Sequence, residues 1–270
     1  MMFEEIIVIM GMPRSGTSWL SQIFDSCPQV RFRLSPLFSY EFKNYVDETS
    51  SKELWEHVLR GAYQSDNDFM NQSERRKGGQ YPTFKEKDAK PRHLVIKDTR
   101  FHNLTERMLD LFDNLKMVAI VRHPCGAIHS WLATPSEFPQ GADPMKEWRT
   151  GGCRKMGYGE FWGFNDWKQV TRLHLRLERH MSSRFIIQRY EDLVKNPVKE
   201  TQKLFRFFGL HYTEQTESFI KTSQAVHSDG EYAVFKNPSV KDRWRSELHQ
   251  EIQKTIIEEI KGGDLERFLQ

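Results

Sequence analysis

Residues 6–20 read IIVIMGMPRSGTSWL. An uninterrupted apolar run ending at Gly11 predicts a strand buried on both faces, the kind found in parallel sheets. Gly11 and Gly16, spaced G-x-x-x-x-G, predict a tight turn. Beyond it Trp19, Leu20, Ile23 and Phe24 recur at helical spacing, and Pro28 closes the helix. A buried strand that passes through a glycine turn into a helix is the layout of a phosphate-binding loop, and it points to an α/β architecture.

The alternation recurs downstream. HLVIKD (93–98) and KMVAIVR (116–122) predict strands, and TERMLDLFDNL (105–115) and HPCGAIHSWLAT (123–134) predict the helices that follow them. Thr105 is a candidate cap, and Pro124 sits in a first turn. VRFRLSP (30–36) reads as extended, and RFIIQRYEDL (184–193) as a strand ending in polar residues. Periodic helices are expected near 51–63, 165–181, 196–208 with Gly209 as terminator, up to about 222, and 246–260. Residues 64–92 are polar and charged, which predicts a surface excursion. The long connection 133–164 is rich in Pro, Gly, Trp and Phe, a length usually reserved for function. With no repeat and no linker, the expectation is one domain over residues 1–270: a P-loop-like parallel sheet flanked by helices.

Composition narrows the setting. The net charge of +3 is too small for wholesale nucleic-acid or membrane binding, although a local basic pocket is compatible with it. Cys27, Cys125 and Cys153 are too few and too scattered for a disulfide framework or a zinc site, which predicts reduced thiols and a cytoplasmic protein. The N-terminal apolar run lacks a basic flank and the length of a signal segment, and no stretch reaches the roughly 18 apolar residues of a membrane span.

The glycine loop is built for an anion. Its glycines let backbone N–H groups curl around a phosphate, and the helix that follows directs its positive end to the same place. Arg14 adds a forked donor, and Ser15, Thr17 and Ser18 add hydroxyls. The position that holds lysine in phosphate-transferring P-loops is Thr17, so a metal-bound triphosphate would be poorly neutralised. A second anion site is suggested by Arg122 at a strand end and Ser130 eight residues later, after a turn and about two turns of helix.

PRSGTSWL resembles the 5′-phosphosulfate loop of sulfotransferases that use 3′-phosphoadenosine 5′-phosphosulfate (PAPS), and RHPCGAIHS is similar to their 3′-phosphate motif. RYEDL (189–193) and KDRWR (241–245) resemble two further segments of that family, in family order. The resemblance implies sulfuryl transfer to a hydroxyl with release of PAP and without a metal. It also implies that Arg14, Ser15, Gly16, Thr17 and Ser18 hold the 5′-phosphosulfate. Trp19 and Tyr190 would lie near adenine, and Arg122 and Ser130 would hold the 3′-phosphate. Lys236, Lys241 and Arg243 are candidates to close over that phosphate, although KNPSV stands where family members often carry Arg-Lys-Gly.

The family's proton acceptor is a histidine or a glutamate. Lys97-Asp98-Thr99 replaces the Lys-Thr-His of one branch, so Lys97 is retained and the histidine is not. Glu41 is the expected base, with Asp98 and His102 behind it. The acceptor, a small molecule, lipid or carbohydrate, would be walled by aromatic residues of segments 31–45 and 133–165, and the basic stretch WRTGGCRKMGYG hints that it is anionic. Two alternatives stay open: a P-loop kinase, and a non-catalytic module that binds PAP.

Overall fold

The computed structural model describes residues 3–270 except Asp229 and Lys236. Five strands, β1 (Glu5–Met10), β2 (Val30–Leu34), β3 (His93–Lys97), β4 (Leu115–Val121) and β5 (Phe185–Arg189), form one sheet in the order β2-β3-β1-β4-β5. Every pairing is parallel, and Ile9 of β1 stands opposite Lys97 on one side and Val118 on the other. All five carboxyl ends therefore open on the same edge.

The alternation of side chains along β1 divides the core. Ile6, Val8 and Met10 join an apolar layer with Trp55, Leu59, Trp167, Ile252 and Ile256, from the helices Lys52–Gln64, Gly163–His180 and Gln250–Ile260. Ile7 and Ile9 face the opposite layer. There Leu20, Phe24, Leu204, Phe208 and Phe219 descend from the helices Thr17–Asp25, Pro197–Phe208 and Glu214–Ala225. A strand covered on both faces must be apolar throughout, which is why β1 shows no polar interruption. Gly209 closes its helix in the left-handed conformation at φ 69°.

Three local expectations are revised. YEDL is helical, not strand: the helix Tyr190–Lys195 starts at once where β5 ends. Thr105 does not cap. A 3-10 turn, His102–Leu104, precedes it, and Thr105 is the first helical residue. The charged stretch 64–92 is tied to the core by a buried acid. Asp25 accepts from Lys87 and Arg76 at 2.7 Å each. Burial alone would push the Asp25 carboxyl up, but these two cations outweigh it and hold it below its ordinary range. Among the described residues, no helix is long and apolar enough to cross a membrane.

Candidate active site

The strand order reverses about β1: the chain leaves β1 for β2 and β3 on one side, then crosses to β4 and β5 on the other. In open parallel sheets ligands bind at such a point, outside the carboxyl ends. A cavity of about 540 Å³ lies there. Arg14, Gly16, Thr17, Ser18 and Trp19 line it from the glycine loop, Lys97 from β3, Arg122 from β4, Ser130 from the helix Pro124–Leu132, Tyr190 from the end of β5, and Arg243 from the C-terminal region.

The glycine loop is held in one shape. Gly16 has φ 92°, and a Cβ there would lie 2.5 Å from the Tyr190 ring. Arg14 itself sits at φ 69°, and Arg122 donates to its carbonyl at 3.0 Å. The helix Thr17–Asp25 begins at Gly16 with no side-chain cap. Its first N–H groups thus have no intrahelical partner, and its positive end faces the cavity wall. Ser15 is fully buried behind the loop, and its hydroxyl has no hydrogen-bond partner among the described residues. Trp19 donates to Ser223 at 2.9 Å, which fixes its ring at the cavity wall.

The second anion site forms around Arg122. Its guanidinium lies 4.9 Å from the Tyr190 ring centroid, and its buried Nε has no hydrogen-bond partner among the described residues. Gly126 makes room for it, since a Cβ there would approach Nε to 2.9 Å. Ser130 accepts from Arg14 Nε at 3.2 Å, so the two sequence motifs meet across one cavity. Both sites therefore carry donors without a partner among the described residues: the first N–H groups of the helix at Gly16 and the Nε of Arg122. Those residues suit a nucleotide with anionic groups at both ends.

The remaining sequence candidates are placed as follows. Lys97 is buried, and burial pushes its ammonium down to about 8. Asp98 turns away from the cavity toward Trp55 and Met108, where burial raises its carboxyl to about 6. Asp98 Oδ1 accepts from the Arg100 amide at 2.9 Å. His102 is buried between Phe161 and His174, with ring centroids 5.2 and 5.6 Å away, and is pushed down to about 3. Glu41 is exposed, accepts from Ser65 at 2.6 Å, and does not line the cavity. The 3-10 turn Pro36–Phe38 carries the chain outward just before it. Lys241 faces a neighbouring cleft and pairs with Asp242. Lys236 lies outside the described residues.

The structure adds a carboxylate that sequence reasoning passed over. Glu137 lines the cavity, with its side chain 13% exposed and Oε2 3.6 Å from Arg14 Nη1. Its charge also acts on Lys97 and Arg100. Trp131 Nε1 donates to its carbonyl at 3.2 Å, and its amide donates to Thr134 at 2.9 Å, which anchors the segment. No motif marks it; it sits in the long connection after the Ser130 helix.

Residues 6–214 match the model of the Sulfotransferase family, and the chain belongs to that family. Among curated proteins it is similar to carbohydrate sulfotransferase 3 of Tetronarce californica, 26% identical over 61% of this chain and 38% of that protein. Human carbohydrate sulfotransferase 6 is 28% identical over 58% of this chain and 42% of that protein. The matches thus span about two fifths of those relatives' length. Among solved structures, mouse sulfotransferase SULT7A1 complexed with PAP shares the fold, with a TM-score of 0.58, 16% identity, and coverage of 98% of this chain and 88% of that one. The sulfotransferase domain of the Synechococcus PCC 7002 olefin synthase aligns with a TM-score of 0.53, 18% identity, and 92% and 90% coverage.

Proposed function

We propose that this protein is a PAPS-dependent sulfotransferase acting on a hydroxyl of a glycan. The observation that carries this reading is the pairing, in one cavity, of an uncapped helix N-terminus at Gly16 with the buried, unpaired Nε of Arg122. These match the two anionic ends of a doubly phosphorylated adenosine. Thr17, in place of a P-loop lysine, disfavours the kinase alternative. The carbohydrate sulfotransferases among the relatives support a glycan acceptor.

Bound PAPS would supply a sulfuryl group whose departure leaves negative charge on the 5′-phosphate. Arg14 and the loop N–H groups stand where that charge develops, so they bind the transition state more strongly than the ground state. Lys97, protonated below about pH 8, adds a cation at the end of β3. The acceptor hydroxyl must lose its proton as its oxygen bonds to sulfur. In our reading Glu137 takes that proton, because it is the carboxylate lying among Arg14, Lys97 and Arg100, whereas Glu41 is exposed and Asp98 and His102 are buried behind the cavity wall. Calorimetry with PAP and with magnesium-ATP, followed by transfer of labelled sulfate from PAPS to a glycan panel, tests the assignment. PAP binding with turnover is expected; magnesium-ATP binding without PAP binding would overturn it.

A further inference from the structure

Arg14 and Glu137 form an ion pair that does not close. Both side chains are largely buried, yet Glu137 Oε2 stays 3.6 Å from Arg14 Nη1 and has no hydrogen-bond partner among the described residues. A guanidinium and a carboxylate free to meet settle at about 2.7–2.9 Å. Other contacts hold Arg14 off. Its Nε donates to Ser130 Oγ at 3.2 Å, its Nη2 donates to the Glu231 carbonyl at 3.2 Å, and its Cζ lies 5.8 Å from the centroid of the Tyr232 ring. Tyr232 also reaches the segment that carries Glu137. Its hydroxyl lies 3.1 Å from Ser136 Oγ, and burial together with the Glu137 charge holds that hydroxyl above its ordinary range. The ring is fixed from its own chain. Ala233 and Val234 beside it are buried, and the Val234 amide donates to the Gln80 carbonyl at 3.4 Å. Arg75 rests on the same ring, 4.3 Å from its centroid.

We infer that Tyr232 is a positioning residue: its ring keeps Arg14 at a distance from Glu137 that leaves the arginine to the 5′ end of the donor and the carboxylate to the proton of the acceptor. The inference rests on the reading above for what those two groups do, and adds how they are kept apart. Arginine has a long side chain with much rotamer freedom, and a ring that takes up its charge restrains it before any ligand arrives. Donors oriented in advance need no reorganisation when charge develops in the transition state. Without the ring, Arg14 would close on Glu137. The carboxylate would then be a weaker base, and the arginine would already be engaged when the leaving 5′-phosphate needs it. The other charges acting around this pair are Lys97 and Arg100.

The test uses the full chain with Tyr232→Phe, which keeps the ring, and Tyr232→Leu and Tyr232→Gln, which remove it; two removals guard against one that disturbs the fold, and melting temperatures are recorded for all. Arg14 is read first without ligand, from the NMR resonance of its Nε–H, assigned with Arg14→Ala. The shift imposed by the aromatic ring should be present in the parent and in Tyr232→Phe and absent from the other two. Turnover is then measured with PAPS and a fixed excess of unsulfated oligosaccharides. Removing the ring should lower kcat by about tenfold, more than it alters KM for PAPS, and should move the acid limb of the pH profile to lower pH. Tyr232→Phe should recover kcat to within about threefold of the parent. In an Arg14→Ala background, removing the ring should cost nothing further. An Arg14 resonance unmoved by Tyr232→Leu and Tyr232→Gln, equal losses in Tyr232→Phe and Tyr232→Leu, or an additive loss on Arg14→Ala would overturn the inference. A parent that neither binds PAP nor transfers sulfate would count against the donor assignment alone, because the Arg14 resonance is read on the unloaded protein.

Discussion

The two ends of the cavity are built on different principles. At the β4–β5 end, the glycine loop and Arg122 are fixed largely by backbone geometry. Gly16 and Gly126 admit the neighbours a side chain would displace, and Arg122 is tied to the Arg14 carbonyl. At the β2–β3 end, Arg100 rides on Phe38 of the 3-10 turn Pro36–Phe38 and Arg75 on Tyr232, and Phe38 is more than a third exposed. The first arrangement suits one invariant ligand. The second is a surface whose specificity can change by altering a loop without touching the sheet. Changes at the β4–β5 end should therefore weaken donor binding whatever the acceptor, while changes at the other end should alter only which acceptor is used.

The largest effect is expected between the two ends, at Glu137. Glu137→Gln keeps the shape and removes the base, so kcat should fall by about 10²–10⁴-fold while PAP affinity holds or rises, since a carboxylate beside Arg14 is neutralised. An unchanged kcat would remove Glu137 from the chemistry. A parallel loss of PAP affinity would show that it only positions Arg14.

Gly16→Ala comes next. The new methyl would meet Tyr190 at 2.5 Å and force alanine into φ 92°, which costs roughly 1–2 kcal/mol before the clash is counted. Loss of PAP affinity by about 10²-fold is expected by calorimetry. Gly209→Ala is the matched control: the same backbone region, φ 69°, with nothing within 4 Å of the added atom. It should lower thermal stability and leave PAP binding intact. If both variants lose PAP equally, the contact with Tyr190 is irrelevant. Arg122→Ala should weaken PAP by roughly 10–100-fold, the worth of charge-assisted hydrogen bonds, with a smaller effect on kcat.

The contrast also explains what could be read from the chain. The β4–β5 end is written locally: a strand, a glycine turn and a helix place Gly11, Arg14, Gly16 and Thr17 within seven residues, and Arg122 and Ser130 lie eight apart. Short-range order of this kind survives translation into three dimensions, and the two motifs meet as the Arg14–Ser130 hydrogen bond. The sheet was legible for the same reason, because its strands are buried apolar runs. The base was not. Glu41 sits close in sequence to β2, but the turn at Pro36–Phe38 leads it to solvent, and Glu137 reaches the cavity only through a connection with no periodic signal. Arg75 was equally hidden. Its polar stretch reads as a solvated excursion until the buried Asp25 is seen to pin Arg76 and Lys87.

The smallest effects concern pH at the end of β3. Lys97 is held down to about 8 by burial, so kcat/KM should fall as pH rises through that value in the free enzyme. Asp98 partly offsets the shift, and Asp98→Asn should move this alkaline limb lower by a fraction of a unit to one unit. The same variant carries a stability sign. The Asp98 carboxyl is raised to about 6, above its unfolded value of 3.8, so the native state holds a proton that the unfolded chain releases earlier. Its contribution is fully present below about pH 4 and is lost as pH rises through 6. Asparagine stays neutral and can still accept from the Arg100 amide, so Asp98→Asn should match the parent's melting temperature at pH 4 and exceed it by a few degrees at pH 8. A variant less stable at pH 8 than at pH 4, relative to the parent, would mean that the charged Asp98 is favoured by its pairing with Lys97 more than it is penalised by burial.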